Sequence, residues 1–376
     1  MSSAGPTRRP TDFAAITRRF ALDGRLEGAV PYGSGHINDT YAATLDVAGR
    51  RVRYILQRIN DRVFQNVPAL MENIGRVTAH VTRRVQAGGG PDVARRALTL
   101  VPTRDGRTCH RDDDGGWWRC YHFIEGARTH DIITTPQQAR EAARAFGEFQ
   151  GCLLDLPGER LHETIPFFHH TRRRFDTLCR TIEADPHHRT EQARAEIAFA
   201  LDREPIADVL LNLQARGAIA ERITHNDTKL NNVMLDDVTQ AGLCVIDLDT
   251  VMPGLGLHDF GDMVRTATNA AAEDERDLGR VRARLDIFAA LVEGYLAAAR
   301  PFLAPAEVEH LALAGQVLTF ENGIRFLTDF LQGDVYYKIK HSGHNLDRAR
   351  AQFALLRSLE DAREAMEKVV GEFAGR

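Results

Sequence analysis

The sequence predicts a two-lobed α+β chain, with a small β-rich N-terminal lobe and a larger, mainly helical C-terminal lobe. Three observations lead there. The 376 residues exceed the size at which one hydrophobic core keeps growing, so the chain is expected to divide. The first hundred or so residues carry strand-like runs punctuated by glycine-containing turns. From Pro136 onward, apolar residues recur at helical spacing. The boundary falls at 125, giving lobes of residues 1–125 and 126–376.

The elements follow in order. Tyr32 to Val47 and Arg51 to Ile59 read as strands of a hairpin, joined by a turn at Ala48-Gly49. Gly33 and Gly35 would let backbone amides approach a phosphate, because no side chain holds the ligand away. His36 and Asn38 complete that turn, with Asn38 where a third glycine would be expected. An ordinary hairpin turn is the alternative reading. The other common phosphate cradle, GxxxxGK(S/T), is absent from the sequence. The strand Tyr54 to Arg58 places Gln57 or Arg58 where a lysine would contact phosphates, and the Arg58 guanidinium can bind phosphate oxygens in pairs. Glu72, in the helical stretch Pro68 to Thr82, is the carboxylate available to orient it. The alternatives are a surface arginine on an edge strand and a solvated glutamate.

The acidic, glycine-rich tip Arg111 to Gly116 separates two further strands, and the second, Trp117 to Ile124, runs into Glu125-Gly126. A hinge is expected there, offering backbone N–H and C=O to a nucleobase while Phe123 and Ile124 cover its faces. Trp117 and Trp118 read as core of the small lobe. Between Pro136 and Leu154, Ala139, Ala142, Ala143, Phe146, Phe149 and Leu153 share one helical face, with Thr134 or Thr135 as cap. Arg172-Arg173-Arg174 opens a charged, solvated helix. His169-His170 and His187-His188 lack the flanking ligands of a metal site and read as solvated or hydrogen-bonded residues. Asp347 to Phe373 repeats Phe353, Leu356, Leu359, Met366, Val370 and Phe373, the pattern of a helix packed on the larger lobe.

Chemistry concentrates in Ile223-Thr-His-Asn-Asp-Thr-Lys-Leu-Asn-Asn-Val-Met234 and Val245-Ile-Asp-Leu-Asp249. Asp227 and Asn232 stand five residues apart, the spacing at which a kinase catalytic loop offers a carboxylate to the acceptor hydroxyl and an amide oxygen to a metal. Lys229 follows the carboxylate by two residues. Asp247 follows the apolar run Leu243 to Ile246, so its carboxylate emerges at a strand end, where a kinase holds magnesium. Aspartate and asparagine are also common turn formers. The conjunction of His225, Asp227, Lys229, Asn232 and a second strand ending in Asp247 points beyond a turn, to a nucleotide phosphotransferase centre.

These runs, "HNDTKLNNVM" and "VIDLDTVMPGLGLHDFGDMVR", together with "RFLTDFLQGDVYYKI" near the C-terminus, resemble the aminoglycoside phosphotransferase and choline kinase superfamily, and within it the N-acetylhexosamine 1-kinase branch. The resemblance covers nearly the whole chain and implies a bilobal, protein-kinase-like fold with ATP as co-substrate and Mg2+ as cofactor. By motif position it implies Asp227 as catalytic base and Asn232 and Asp247 as magnesium ligands. Asp259, in "HDFGD", is implied as a buried carboxylate that braces the catalytic loop beside His225. It also points to Arg325 and Tyr336 as sugar-pocket residues. Thr266 departs from it, standing where a bulkier aromatic is expected.

Composition excludes several classes. A formal charge of −4 gives no electrostatic case for nucleic acid as a partner. Five cysteines without a CxxC pair suggest neither a disulfide framework nor a zinc site, and imply a reducing compartment. The N-terminus lacks the apolar run of a secretory signal, and no stretch reaches membrane-spanning length, so a cytoplasmic enzyme without a membrane partner is expected. The oligomeric state is not legible. Residues 301–376 hold 11 acidic and 9 basic side chains, not the strongly acidic trough that a polycationic aminoglycoside would need. Choline would require an aromatic cage; Tyr336-Tyr337 is available, but Arg325, Asp329 and Asp334 beside it suit hydroxyls and an amide better. The activity that the resemblance implies is transfer of the γ-phosphoryl group of ATP to the anomeric hydroxyl of a hexose, an N-acetylhexosamine. Asp227 acts as base and Lys229 stabilises charge on the transferred group. The alternatives are a kinase of another small alcohol, of aminoglycoside, choline or homoserine type, and a nucleotide-binding pseudokinase.

Overall fold

The structure, a computed structural model, describes residues 11–33, 35, 37–89 and 92–375. They form two compact units, one ending at Glu125 and the other beginning at Gly126. The first is an antiparallel sheet with helices and the second is mainly helical: an α+β, protein-kinase-like fold.

The first unit runs α1 (Phe13–Thr17), β1 (Arg25–Pro31), β2 (Asp39–Val47), β3 (Arg50–Ile59), α2 (Val67–Ala87), α3 (Val93–Arg96), β4 (Leu100–Val101), β5 (His110–Arg111) and β6 (Trp117–His122). The sheet order is β1-β2-β3-β6-β4, with β5 also paired to β6. Strands β2 and β3 pair along their full length, from Asp39 opposite Arg58 to Val47 opposite Arg50, about the Ala48-Gly49 turn. The first strand of the expected hairpin therefore begins at Asp39. Before it lies β1, an exposed edge strand whose register shifts between Leu26 and Gly28. One sheet face carries Tyr54, Leu56, Trp118 and Cys120, and packs with Ile16, Phe20 and Leu22 into the unit's core. Trp118 is completely enclosed, its indole N–H donated to Asp112 at 2.7 Å.

The second unit runs β7 (Ala127–Arg128), α4 (Pro136–Leu153), α5 (Thr171–Ala184), α6 (Arg194–Asp202), α7 (Val209–Ala215), β8 (Glu221–Thr224), β9 (Val233–Asp236), β10 (Gly242–Val245), β11 (Met252–Leu255), α8 (Gly256–Ala267), α9 (Leu285–Ala299), α10 (Pro305–Glu309), α11 (Leu311–Leu331), α12 (His344–Asp361) and α13 (Arg363–Ala374). Helix α4 has Thr135 as its N-cap, with the Thr135 hydroxyl accepting the Gln138 amide at 3.3 Å, and it buries the predicted stripe. The predicted C-terminal helix is two helices, interrupted at Ala362, where the backbone leaves helical geometry without a proline or glycine to announce it. Helix α11 is buried on nearly every side, and α5, α6 and α12 pack round it through Phe175, Phe199, Phe320, Leu327 and Phe353. Among the described residues, no helix is long and apolar enough to cross a membrane.

Two short antiparallel pairs, β8 with β11 and β9 with β10, emerge beside α8 and carry the loops of the motif region. Behind them α4 packs on α9 at close range, which Gly294 permits: a Cβ there would lie 2.0 Å from the carbonyl oxygen of Arg140. Gly294→Ala is expected to destabilise the protein by about 1–3 kcal/mol through overpacking. Gly371→Ala, on α13 with nothing within 4 Å of the added carbon, should be neutral or slightly stabilising. Thermal denaturation of the two variants checks the contrast.

Candidate active site

The loop between β8 and β9 is shaped by a buried carboxylate. Asp259, on α8, is fully enclosed; its Oδ2 accepts the His225 backbone N–H at 3.0 Å and its Oδ1 accepts that of Asn226 at 2.7 Å. Gln150 of α4 donates to the same carboxylate at 2.6 Å and itself accepts the Tyr295 hydroxyl at 2.7 Å. Burial pushes the Asp259 carboxyl above its ordinary range, against the opposing effect of these donors. The Thr228 hydroxyl donates to the Asp259 backbone carbonyl at 2.5 Å. The His225 ring lies between Phe146 and Phe149 and meets the Ile246 carbonyl at 2.9 Å.

Asn226 adopts φ +64°, a left-handed conformation that asparagine tolerates better than most residues. Its amide nitrogen donates to the Thr250 carbonyl at 2.9 Å and its Oδ1 accepts the Thr224 hydroxyl at 3.0 Å. Gly254, across the β8–β11 pair, leaves room for this: a Cβ there would sit 2.3 Å from Thr224 Oγ1 and 2.7 Å from Asn226 Oδ1.

The next residue is Asp227. Its Oδ2 lies 3.0 Å from Lys229 Nζ and accepts Asn232 Nδ2 at 3.1 Å, while its backbone carbonyl accepts the same amide group at 2.7 Å. Burial opposes the Asp227 charge, but Lys229 together with the His225 and Arg265 charges outweighs it and holds the carboxyl below the usual carboxylate range. The Asp227 charge in turn, outweighing burial, raises the Lys229 ammonium above its ordinary value. Because the Asn232 amide nitrogen is spent on Asp227, its oxygen is the end left for a cation. The Asn232 carbonyl accepts the Ile246 N–H at 2.9 Å, which fixes the approach to Asp247. Asp247 follows β10 at φ +60° and is half-buried.

In the first unit, Gly33 has φ +79°, and an added Cβ at Gly33 or Gly35 would meet nothing within 4 Å. His36 lies outside the described residues. Asn38 Oδ1 accepts the Asn60 N–H at 3.0 Å, tying the end of the turn to the end of β3. Gln57 donates to the Thr40 hydroxyl and accepts Arg119 Nε, both at 2.9 Å. Strand alternation puts Arg58 on the opposite face, with Tyr54 and Leu56, and its guanidinium lies against Gly116. The sheet face of Gln57 nevertheless has a cation, the deeply buried Arg119 of β6. Glu72 pairs with Arg76, one turn along α2, at 4.0 Å. Phe123 stacks under Arg53, whose Cζ is 3.7 Å from the ring centroid, and meets Tyr32 edge-on at 5.3 Å. Ile124 is buried. Nearby, Val30, Ala42, Thr44, Arg53 and Glu125 line a cavity of about 480 Å³.

Arg325 and Tyr336 belong to the second unit. Arg325, on α11, has its Cζ 5.2 Å from the Phe168 ring centroid and 5.8 Å from that of Tyr337. Tyr336 is exposed and meets Tyr337 at 4.7 Å between centroids. Asp329 and Asp334, expected to face a ligand, are engaged otherwise. Asp329 accepts the backbone N–H groups of Val335, Tyr336 and Tyr337 at 2.8–2.9 Å. Asp334 accepts from Arg189 and Asn345 at 2.6 and 2.9 Å. Both carboxylates hold the loop that presents Tyr336.

His169 was not distinguished from its neighbour by the sequence. Fully enclosed, it meets Glu321 Oε1 of α11 through Nδ1 at 2.7 Å and the Asn226 carbonyl through Nε2 at 2.9 Å. Both partners are acceptors, so both ring nitrogens donate and the ring is an imidazolium. Glu321 Oε2 accepts the Thr171 hydroxyl at 2.7 Å. This bridge ties α11 to the residue before Asp227.

An antiparallel sheet followed by a helical unit with an Asp227-Asn232 loop and a strand-end Asp247 defines a protein-kinase-like phosphotransferase architecture. The profile of the phosphotransferase enzyme family matches residues 28–311, and the chain belongs to that family. By family it is a phosphotransferase. Solved structures share the fold at low identity. A microcompartment-associated aminopropanol kinase is 14% identical, with 93% of this chain and 96% of that one covered at a TM-score of 0.57. A choline kinase from Cryptosporidium parvum is 11% identical, with 93% of each chain covered and a TM-score of 0.56. An aminoglycoside phosphotransferase from Alicyclobacillus acidocaldarius is 12% identical, with 99% of each chain covered and a TM-score of 0.55.

Burial disfavours the His169 imidazolium, but Glu321 together with the Asn226 carbonyl and the charge of Asp262 outweighs it and raises the ring above 6.5. Burial likewise opposes the Glu321 charge, yet His169, joined by the charge of Arg325 and the Thr171 hydroxyl, brings that carboxyl down to about 2 from 4.5. The His169 contribution to stability is complete below 6.5 and lost as pH rises through the raised folded value; the Glu321 contribution is present above 4.5 and lost as pH falls through about 2. His169→Gln should therefore cost on the order of 3–5 kcal/mol. Melting temperatures of both proteins across pH should differ most between 4.5 and 6.5 and converge at alkaline pH.

Proposed function

We propose that the chain is an ATP- and magnesium-dependent kinase that phosphorylates the anomeric hydroxyl of a hexose, an N-acetylhexosamine. The observation that carries the reading is the Asp227 carboxylate, kept ionised by Lys229 at 3.0 Å and oriented by Asn232 at 3.1 Å. Such a group accepts or orients the proton of a hydroxyl placed for in-line attack. Asn232 Oδ1 and Asp247 suit a hard cation by their oxygen chemistry, and magnesium takes few protein ligands, leaving the rest to phosphate and water. When bound, the metal neutralises charge on the β and γ phosphates. Lys229 contributes positive charge beside the transferred group, and His225 and Asp259 keep the loop in place. For the nucleotide, Gly33, Gly35, His36 and Asn38 are proposed at the phosphates. Phe123 and Ile124 are proposed at the base, with the cavity beside Ala42 and Val30. Gln57 and Arg119 share the sheet face of β3, making Arg119 a better candidate than Arg58 for the missing lysine's charge. A cytoplasmic setting fits a substrate pair of this kind.

For the acceptor, Arg325 and Tyr336 are proposed as hydrogen-bond partners of the sugar hydroxyls and N-acetyl group. An anomeric hydroxyl is more acidic than other sugar hydroxyls, so it demands less of the base. A second reading, phosphorylation of an amino alcohol, is favoured by the named activities of two fold relatives, the aminopropanol and choline kinases.

Asp227→Asn should lower kcat at least 10²-fold, the usual contribution of a positioned base, while ATP binding measured by calorimetry stays within a few fold. Retention of more than about a tenth of kcat would remove Asp227 from the role. The regiochemistry is read independently. With N-acetylglucosamine or N-acetylgalactosamine as acceptor, reducing-end reactivity should disappear in step with ADP release. ADP formation with an intact reducing end would rule out transfer to the anomeric hydroxyl.

A further inference from the structure

We propose that the acceptor pocket beside Arg325 rejects cations, and that Arg174 is a second specificity-determining guanidinium there, so that the group facing the pair is an uncharged or anionic oxygen substituent. The inference rests on the reading above that the acceptor binds at Arg325 and Tyr336. Phe168 connects the two arginines. Arg325 stands over its ring at 5.2 Å, and Arg174, on α5, donates Nε and Nη2 to its backbone carbonyl at 3.4 and 3.0 Å. That contact uses one edge of the Arg174 fork and leaves Nη1. Burial first, and then the positive charge of Arg325, lower the Arg174 value from its ordinary one, in keeping with two cations set close together.

The charge balance decides the matter. The nearest carboxylate to both arginines along α11 is Glu321, and its oxygens are committed to His169 at 2.7 Å and Thr171 at 2.7 Å. Asp329 and Asp334 are spent on the Tyr336 loop and on Arg189. Glu273 faces Arg265 at 3.9 Å and Arg348 at 3.4 Å, and Asp262 pairs with Arg265 at 2.7 Å. Each of these acidic groups thus already has a cationic or N–H/O–H partner, Asp262 through Oδ1 alone. Two guanidiniums remain charged at any accessible pH; Glu321 and Asp329 keep their own charges, but each is already bonded to the scaffold, so a substrate ammonium would meet two cations and no carboxylate free to accept from it. An amide carbonyl, hydroxyl or carboxylate would instead accept their N–H groups.

The test compares kcat/KM at neutral pH within two matched pairs: N-acetylglucosamine with glucosamine, and 1,2-propanediol with 1-amino-2-propanol. Glucuronate is added as the anionic member. Wild type should prefer the uncharged member by about 100-fold, and should use glucuronate no worse than glucosamine. Arg174→Gln should reduce that preference about tenfold, whereas Arg174→Lys, which keeps the charge, should retain most of it. KM for ATP should not move, and because both variants lose the bonds to the Phe168 carbonyl their melting temperatures should fall alike, so a difference in acceptor preference between them separates this role from a structural one. Preference for the ammonium member in either pair would overturn the proposal. So would an unchanged ratio in Arg174→Gln. Turnover of the propanediol pair alone would sink the hexose reading while still deciding the charge rule, and no turnover of any acceptor would sink both.

Discussion

One buried carboxylate sets the geometry on which the catalytic loop depends. Asp259 has no access to water, so its charge has to be met by protein donors. Two adjacent peptide N–H groups, those of His225 and Asn226, supply them. Each side needs the other: the loop amides have no strand partner at this point, and an enclosed unpaired N–H is costly. The constraint extends outward through Gln150 and Tyr295, so α4, α8 and α9 converge on the same two peptides. The left-handed backbone at Asn226 and the absence of a side chain at Gly254 then turn the chain so that Asp227 comes next to Lys229 and Asn232.

A second brace reaches the loop from the opposite direction. The His169 imidazolium joins the Asn226 carbonyl to Glu321, and α11, which carries Glu321, is held by apolar packing on nearly all its faces. Arg325 lies one helical turn beyond Glu321 on that same helix. The proposed acceptor group and the proposed base are therefore referred to one rigid element through one charged bridge. A buried ion pair of this sort adds little net stability against an apolar substitute. Its value here is positional, since an imidazolium that donates at both nitrogens allows only one ring orientation.

The parts of this arrangement that were legible in the sequence are local ones. Asp227, Lys229 and Asn232 lie within a short span, so spacing alone brings them together, and the capped, striped helix α4 followed from its period. Elements governed by distant partners were not legible. Edge strand β1 contains Gly28 at a register shift and has little buried face, so it lacks the alternation that marks a strand. Whether Gln57 or Arg58 shares the core face of the sheet depends on strand parity, which the core contacts of Tyr54 and Leu56 decide. Arg119 meets Gln57 from 62 residues away, and Glu321 meets His169 from 152. No periodicity within a window can register such pairs. The break at Ala362 has no proline or glycine, and only the packing of α12 and α13 reveals it.

Charge in the C-terminal region shows the same limit in another form. The 11 acidic and 9 basic side chains of residues 301–376 read as a nearly neutral surface when counted. Their arrangement differs from their number. Asp329 is consumed by three backbone N–H groups and Asn345. Asp334 is committed to Arg189 and Asn345, and Glu321 to His169 and Thr171. A carboxylate whose lone pairs are filled by peptide donors still carries its charge, but it is fixed as part of the scaffold and has less capacity to accept from a ligand. Guanidiniums have five donors each and are harder to exhaust. The same residues that make the Tyr336 loop rigid thus withdraw acceptors from the proposed pocket and leave donors there, so that a near-balanced composition accords with the proposed preference for oxygen.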